Sequence, residues 1–468
     1  MTDQAQPKPA RRGLSRWLDE RYNLQPIADF MEHKEVPYGS HSPIWYLLGG
    51  MTLFFFVVQI VSGVLLLIYY QPGENTSYES LRFITTKVPF GWLVRSIHCW
   101  SAHLMILTLL VHGFSVLFMK AYRRPRELTW VTGCVLLALA LGFGFSGYLL
   151  PWNNLAFAAT TVGTESVKYV PVIGDWLLQV MRGGPEVSID TVYRFFGLHV
   201  VVLPLMAFGL IGLHLIFVQR QGTSPPLGET KSPRSMKFFP NFMLRDLLLW
   251  VMCIAILAVL TLVWTYGPGI PGVDWELGEK ANPLAPAAVN IKPEWYFLWV
   301  YQLLKEFPPH FGFMEGPQAA LIMVSVLLGV WFAIPWLDRK SGREKDSPGF
   351  TDFGVGALYF LLWLTLKAWD IGASTDPDAK PEVEAMVVAQ TTGWIMLGLG
   401  AAITLMRAVL WKHRWFAFTA TMMLHAVLHG ALQMEYLPAF AIAGVAGGAM
   451  AVAYSLRARR AATPGTPS

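Results

Sequence analysis

Apolar residues in this chain do not alternate with polar ones; they come in long blocks separated by short polar or charged connections. The blocks occupy roughly 43–70, 92–119, 129–150, 196–218, 244–266, 318–337, 350–369, 386–411, 416–434 and 436–456. As helices rising about 1.5 Å per residue, such blocks reach across a hydrocarbon core of about 30 Å. The pattern predicts an all-α, polytopic membrane protein of about ten spanning helices. Residues 14–31, where Trp17, Leu18, Tyr22, Ile27 and Phe30 sit among charges, read as a helix lying on the membrane surface.

The connections alternate in basic content, which sets orientation. Segments 1–42, 120–126, 220–245, 339–345, 412–414 and 457–460 carry six, four, five, four, two and three Lys or Arg. Two of the intervening loops are acidic: 267–316 holds Asp274, Glu276, Glu279, Glu294, Glu306 and Glu315, and 370–384 holds Asp370, Asp376, Asp378, Glu382 and Glu384. Both termini are therefore expected on the inner, positive side.

Composition agrees, with 54% hydrophobic and 14% charged residues over 468 positions, far too apolar for a water-soluble protein. The net charge of +5 reflects the loop asymmetry, and no basic and aromatic stripe points to nucleic acid. Cys99, Cys134 and Cys253 all fall inside apolar blocks, and there is no Cys-x-x-Cys-His, so neither a disulfide framework nor a typical attached c-type haem is expected. No signal-peptide core precedes the first block, and insertion is expected to rely on that block itself.

Four histidines give the pattern its chemistry. His98 and His112 lie 14 residues apart in the second block, and His199 and His214 lie 15 apart in the fourth. Helical rise separates the members of each pair by roughly 21–22 Å along the axis and keeps them close to one face. Helices two and four run in the same direction, so His98 and His199 meet near the outer side and His112 and His214 near the inner. Two stacked haems, each iron clamped by one imidazole from each helix, fit that arrangement; with both axial positions filled, the work left to the iron is electron transfer. Glycine supplies a parallel period: Gly49 and Gly63 in helix one, and Gly133 and Gly147 in helix three, are each 14 apart and match the inner and outer levels in that order. Close packing of small residues between helices is the other reading of such glycines.

The stretches Ser-Ile-His98-Cys-Trp-Ser-Ala, Pro125-Arg-Glu-Leu-Thr-Trp-Val-Thr-Gly133, Ser-Gly147-Tyr-Leu-Leu-Pro-Trp152 and Pro293-Glu294-Trp295-Tyr296 together resemble cytochrome b of the quinol-oxidising bc and bf complexes. The resemblance covers about residues 14–370. It implies an inner-side segment (1–42), a four-helix dihaem part (43–228), a three-helix part like subunit IV of the bf type (229–370), and an extension of unknown role (371–468). It also implies two quinone sites. At the outer one, Glu294 would accept a proton from quinol, with Pro293, Trp295 and Tyr296 beside it and the 152–190 loop, including Phe157 and Gly163, as the opposite wall; a helix-start acid is the plainer reading. At the inner one Asp246 would relay protons, unless it is simply an acid in a first helical turn, and Arg220 stands where bf-type members have arginine.

Further roles are implied by the same resemblance. Arg95 would pair with an outer haem propionate. Ser115 replaces the arginine that relatives place after the inner ligand, leaving Arg123, Arg124 or Arg126 as counter-ions. Leu47 replaces the cysteine that attaches an extra haem in bf complexes, so no covalent haem is expected. Implied partners are a Rieske iron-sulfur protein, a c-type cytochrome, quinone and lipid, in a dimeric complex of an energy-transducing membrane, bacterial by expectation. The implied reaction is bifurcated quinol oxidation outside, electron transfer through two b haems, and quinone reduction inside, coupled to proton translocation. A non-bifurcating dihaem anchor would share the histidines without needing Pro293–Tyr296, and a proton transporter would hold no haem. His425 and His429, four apart in the ninth block, have no neighbouring carboxylate or cysteine to complete a metal set, and His103, rotated off the His98 face, reads as a helix-contact residue.

Overall fold

The computed structural model describes residues 13–37, 44–170, 172–225, 235–266, 277–283, 292–338, 347–370, 380–410 and 416–462. Among these, nine helices are long and apolar enough to cross a membrane, beginning with Ile44–Leu67, Gly91–Phe118, Glu127–Leu149 and Ile189–Gln221. The fifth to seventh are Phe238–Leu262, Gly316–Leu337 and Gly349–Ala368, and the last two are Glu382–Ile403 and Tyr436–Ala453. The ninth apolar block differs from expectation: it folds as an α-helix over Phe416–Ala426, widens into a π-helix over Val427–Ala431, and falls short of a span. Blocks recruited to a protein core need not be as long as those that face lipid.

The surface segment is also corrected. Instead of one helix it forms two, Leu14–Tyr22 and Gln25–His33, because Asn23 takes the left-handed conformation (φ 45°) and ends the first. The chain then adds a short strand, Glu35–Pro37, antiparallel to Ser235–Lys237 before the fifth helix. This ladder, with Lys34 bound to Gln219, anchors the N-terminal segment to the end of the fourth helix and the start of the fifth.

The first four helices enclose a core that includes Phe54, Phe55, Phe56, Met105, Leu139, Leu203 and Ala207, joined by Cys253 of the fifth helix. Two clamps join this bundle to the later helices and loops. Where the third helix starts, buried Arg123 meets Asp338 at 2.8 Å, and Asp338 also accepts from Tyr122 at 2.9 Å and Ser347 at 2.6 Å. Burial pushes the Asp338 carboxyl up, but the hydrogen bonds from Ser347, Arg123 and Tyr122 outweigh it and hold the group below the usual range. Where the third helix ends, the backbone of Asn154 and Trp152 bonds to Glu279 and Ala281, so the segments after the third and the fifth helix are stitched together.

Candidate functional site

Within the four-helix core each of the four histidines faces one glycine of a neighbouring helix. A Cβ built at Gly63 would stand 3.3 Å from His98, and one at Gly49 3.4 Å from His112. The corresponding distances are 3.5 Å from Gly133 to His214 and 2.7 Å from Gly147 to His199. The rings of His98 and His199 lie 6.5 Å apart, centre to centre.

The unequal spacings, 14 on one helix and 15 on the other, have a local cause. His199 lies in a π-helical turn, Leu198–Val202, where the Leu203 N–H reaches back to the Leu198 carbonyl. Pro204 comes next and has no N–H to give, so the ordinary α bond to residue 200 is missing and the wider turn is favoured. That turn absorbs one residue and returns His214 to the face of His199.

Three of the four imidazoles are held by a hydroxyl on the residue just before the facing glycine. Ser62 Oγ lies 2.9 Å from His98 Nδ1, Ser146 Oγ 3.0 Å from His199 Nδ1, and Thr132 Oγ1 2.8 Å from His214 Nδ1. Ser–Gly or Thr–Gly pairs at the haem-facing period are a readable signal that histidine spacing alone does not reveal.

At the outer level Glu294 precedes a 3-10 turn, Trp295–Phe297, that leads into the helix Leu298–Glu306. Its side chain makes no capping bond to that turn. Instead its Oε2 faces His103 Nε2 at 4.0 Å, both side chains being nearly buried. Trp295 Nε1 donates to His103 Nδ1 at 3.1 Å, which leaves the remaining ring proton on Nε2, towards Glu294. His103 is thus more than a helix contact: it meets both Trp295 and Glu294 of the Pro293–Tyr296 segment. The adjoining Tyr296 is buried, and its hydroxyl and ring edge occupy the space that Gly144 leaves by having no side chain. Burial, reinforced by Glu294, pushes the Tyr296 phenol well up, so it stays a neutral donor. Phe297 packs edge-on against Phe145, and Phe145 in turn fills the space at Gly163. Pro293 leads into this segment, and Phe157 packs on Trp152.

Arg95 is buried one turn before His98, and Leu47 is buried in the first helix. At the inner level Asp246, in the first turn of its helix, packs against Gly50, next to the Gly49 that faces His112; its Oδ1 is buried with no hydrogen-bond partner among the described residues. Arg220 is exposed in the last turn of the fourth helix. Ser115 bonds the carbonyl of His112 at 2.7 Å. Of the three arginines considered as counter-ions, Arg123 is committed to Asp338, Arg126 clamps the carbonyls of Gln221 and Gly222, and Arg124 is exposed beside Glu127.

Residues 33–222 match the family model described as cytochrome b/b6/petB, and residues 280–369 the model described as cytochrome b (C-terminal)/b6/petD. A cytochrome bc complex cytochrome b subunit of Chlorobaculum thiosulfatiphilum is 48% identical over 375 residues, 78% of this chain and 84% of that protein. Cytochrome b6 of Synechococcus sp. (strain JA-3-3Ab) is 42% identical over 211 residues, 45% of this chain and 97% of its own length. A solved chain titled hyperthermophilic respiratory Complex III superposes with a TM-score of 0.66 at 27% identity, covering 90% of this chain and 99% of that one.

Proposed function

This chain belongs to the cytochrome b family and is the haem-binding, multi-pass membrane subunit of a bc-type quinol oxidoreductase; we propose that it binds two b-type haems non-covalently, one per histidine level, and oxidises quinol in bifurcated fashion. One observation carries the reading: four imidazoles each meet a glycine, and the outer two stand 6.5 Å apart. Metal–nitrogen bonds of about 2 Å on either side of one ion would put ring centres roughly 6 Å apart. The glycines let the four imidazoles stand where a side chain on the facing helix would meet them.

Bound there, the haems supply one-electron carriers near each membrane face. The protein does the rest. Glu294 takes a proton from quinol while His103 N–H supports its charged form, and Tyr296 beside it stays protonated as a donor. Protons then leave on the outer side. Arg95 holds an outer propionate, since a lone buried cation would be costly. Asp246, with Arg220 at the mouth, passes protons from the inner side to quinone. With the haems and partners in place, one electron of each quinol would go to a separate Rieske protein and on to a c-type cytochrome, and the other would cross inward; moving a charge against 100 mV stores about 2.3 kcal/mol. The setting we propose is a dimeric complex in a bacterial energy-transducing membrane, with both termini on the inner side.

A pyridine haemochrome assay of the purified complex tests the reading. Two b haems per chain are expected, and a chain that binds none, or binds them after His98 and His112 are both replaced, overturns it.

A further inference from the structure

The inner ligand His112 is held differently from the other three. Ser62, Thr132 and Ser146 each pass their own proton back one turn, to the carbonyls of Val58 at 2.6 Å, Leu128 at 3.0 Å and Gly142 at 2.7 Å. Their oxygens are then left as acceptors, so the imidazole Nδ1 must be the donor and Nε2 keeps its lone pair. At the fourth position the residue before the facing glycine is Leu48, which has no hydroxyl. The Nδ1 of His112 is buried with no hydrogen-bond partner among the described residues.

We propose that these hydroxyls are positioning residues that set the redox order of the two haems, and that Leu48 is the element that makes them unequal. The inference rests on the dihaem reading above. A hydroxyl accepting from Nδ1–H fixes the ring and makes Nε2 a stronger donor to the iron, which favours the oxidised form. The outer level has two hydroxyl-backed imidazoles and the inner level one. Electrons therefore run downhill from outer to inner, the direction that charge separation across the membrane requires, and the asymmetry lies in one residue outside the ligand set.

The test is a spectroelectrochemical titration of both haems in the assembled complex, alongside haem content and the low-spin electron paramagnetic resonance signals. Leu48→Ser is expected to lower the inner midpoint while leaving the outer one in place, and Leu48→Ala, which changes size without adding a hydroxyl, to move neither. Ser62→Ala should raise the outer midpoint, and Ser62→Thr should restore it. The ratio of reduced to oxidised haem at fixed ambient potential should change roughly two- to tenfold, the range for one ordinary hydrogen bond. Unmoved midpoints in Leu48→Ser and Ser62→Ala complexes that still carry two haems overturn this inference and leave the dihaem reading intact. A wild-type complex without two haems overturns both.

Discussion

The chain carries two sets of helical histidine pairs, one in the four-helix core and one in the extension, and they are built in opposite ways. In the core each ring meets a glycine, and three of the four are tied through Nδ1 to a hydroxyl. In the extension the rings of His425 and His429 lie parallel, 5.9 Å apart, inside an aromatic box. Trp363 stands 4.5 Å and 5.3 Å from them, and Tyr436 5.0 Å and 5.4 Å. Their Nδ1 atoms bond Tyr359 and the Met434 carbonyl. Glycine is present there too, but Gly393 meets Gly430, and the two backbones close on each other. A glycine opposite a ring makes room for that ring, whereas a glycine opposite a glycine lets two backbones close on each other. Among the described residues no group of three or more His, Cys, Asp or Glu could hold a metal.

The contrast can be broken most decisively at the core. Replacing His98 by Leu is expected to remove one b haem per chain and abolish quinol to cytochrome c turnover, read by haemochrome and steady-state assay. Gly147→Val should do the same without touching a ligand, since its Cβ would already meet His199 at 2.7 Å. A Gly147→Val complex with both haems would mean that the space serves helix packing after all. Glu294→Gln should lower turnover by roughly 10²-fold, the lower end for loss of a positioned proton acceptor. His103→Phe should change the pH profile of turnover in the same complex, because it removes the donor facing Glu294; an unchanged profile would return His103 to a packing role.

Smaller effects are expected at the clamp and in the extension. Asp338→Asn leaves Arg123 buried without its anion and should cost about 3–5 kcal/mol of stability, measured by thermal inactivation, with both haems retained. Because the Asp338 pKa is held low in the folded protein, its contribution is present above the unfolded carboxylate pKa of about 3.9 and is lost as pH falls through the folded value. His425→Phe should leave haem count and turnover unchanged and cost roughly 0.5–1.5 kcal/mol through the lost bond to Tyr359, whose hydroxyl keeps the Met422 carbonyl. Loss of a haem in that variant would erase the distinction between the two histidine sets.

The spans, the two histidine levels and the glycines that share their period are all legible in the sequence because each depends on helical repeat within one segment. Even there, the π-turn at His199 is hidden: the 15-residue spacing is its trace, but only the missing Pro204 donor and the bond from Leu203 to Leu198 explain how a longer spacing keeps one face. His103 escapes a sequence reading for a different reason. Its rotation away from His98 is legible, but it rotates towards a loop 191 residues later in the chain.

Local chemistry, written in spacing, thus determined that this chain crosses a membrane and where its imidazoles stand. Tertiary structure alone decided what each small residue makes room for: a histidine at Gly147, a tyrosine at Gly144, an aspartate at Gly50, another backbone at Gly393. It also decided which inner arginine was committed to Asp338. Periodicity repeats within a helix and can be counted along it, whereas a partner across the bundle depends on how helices cross and loops return, which no single segment encodes.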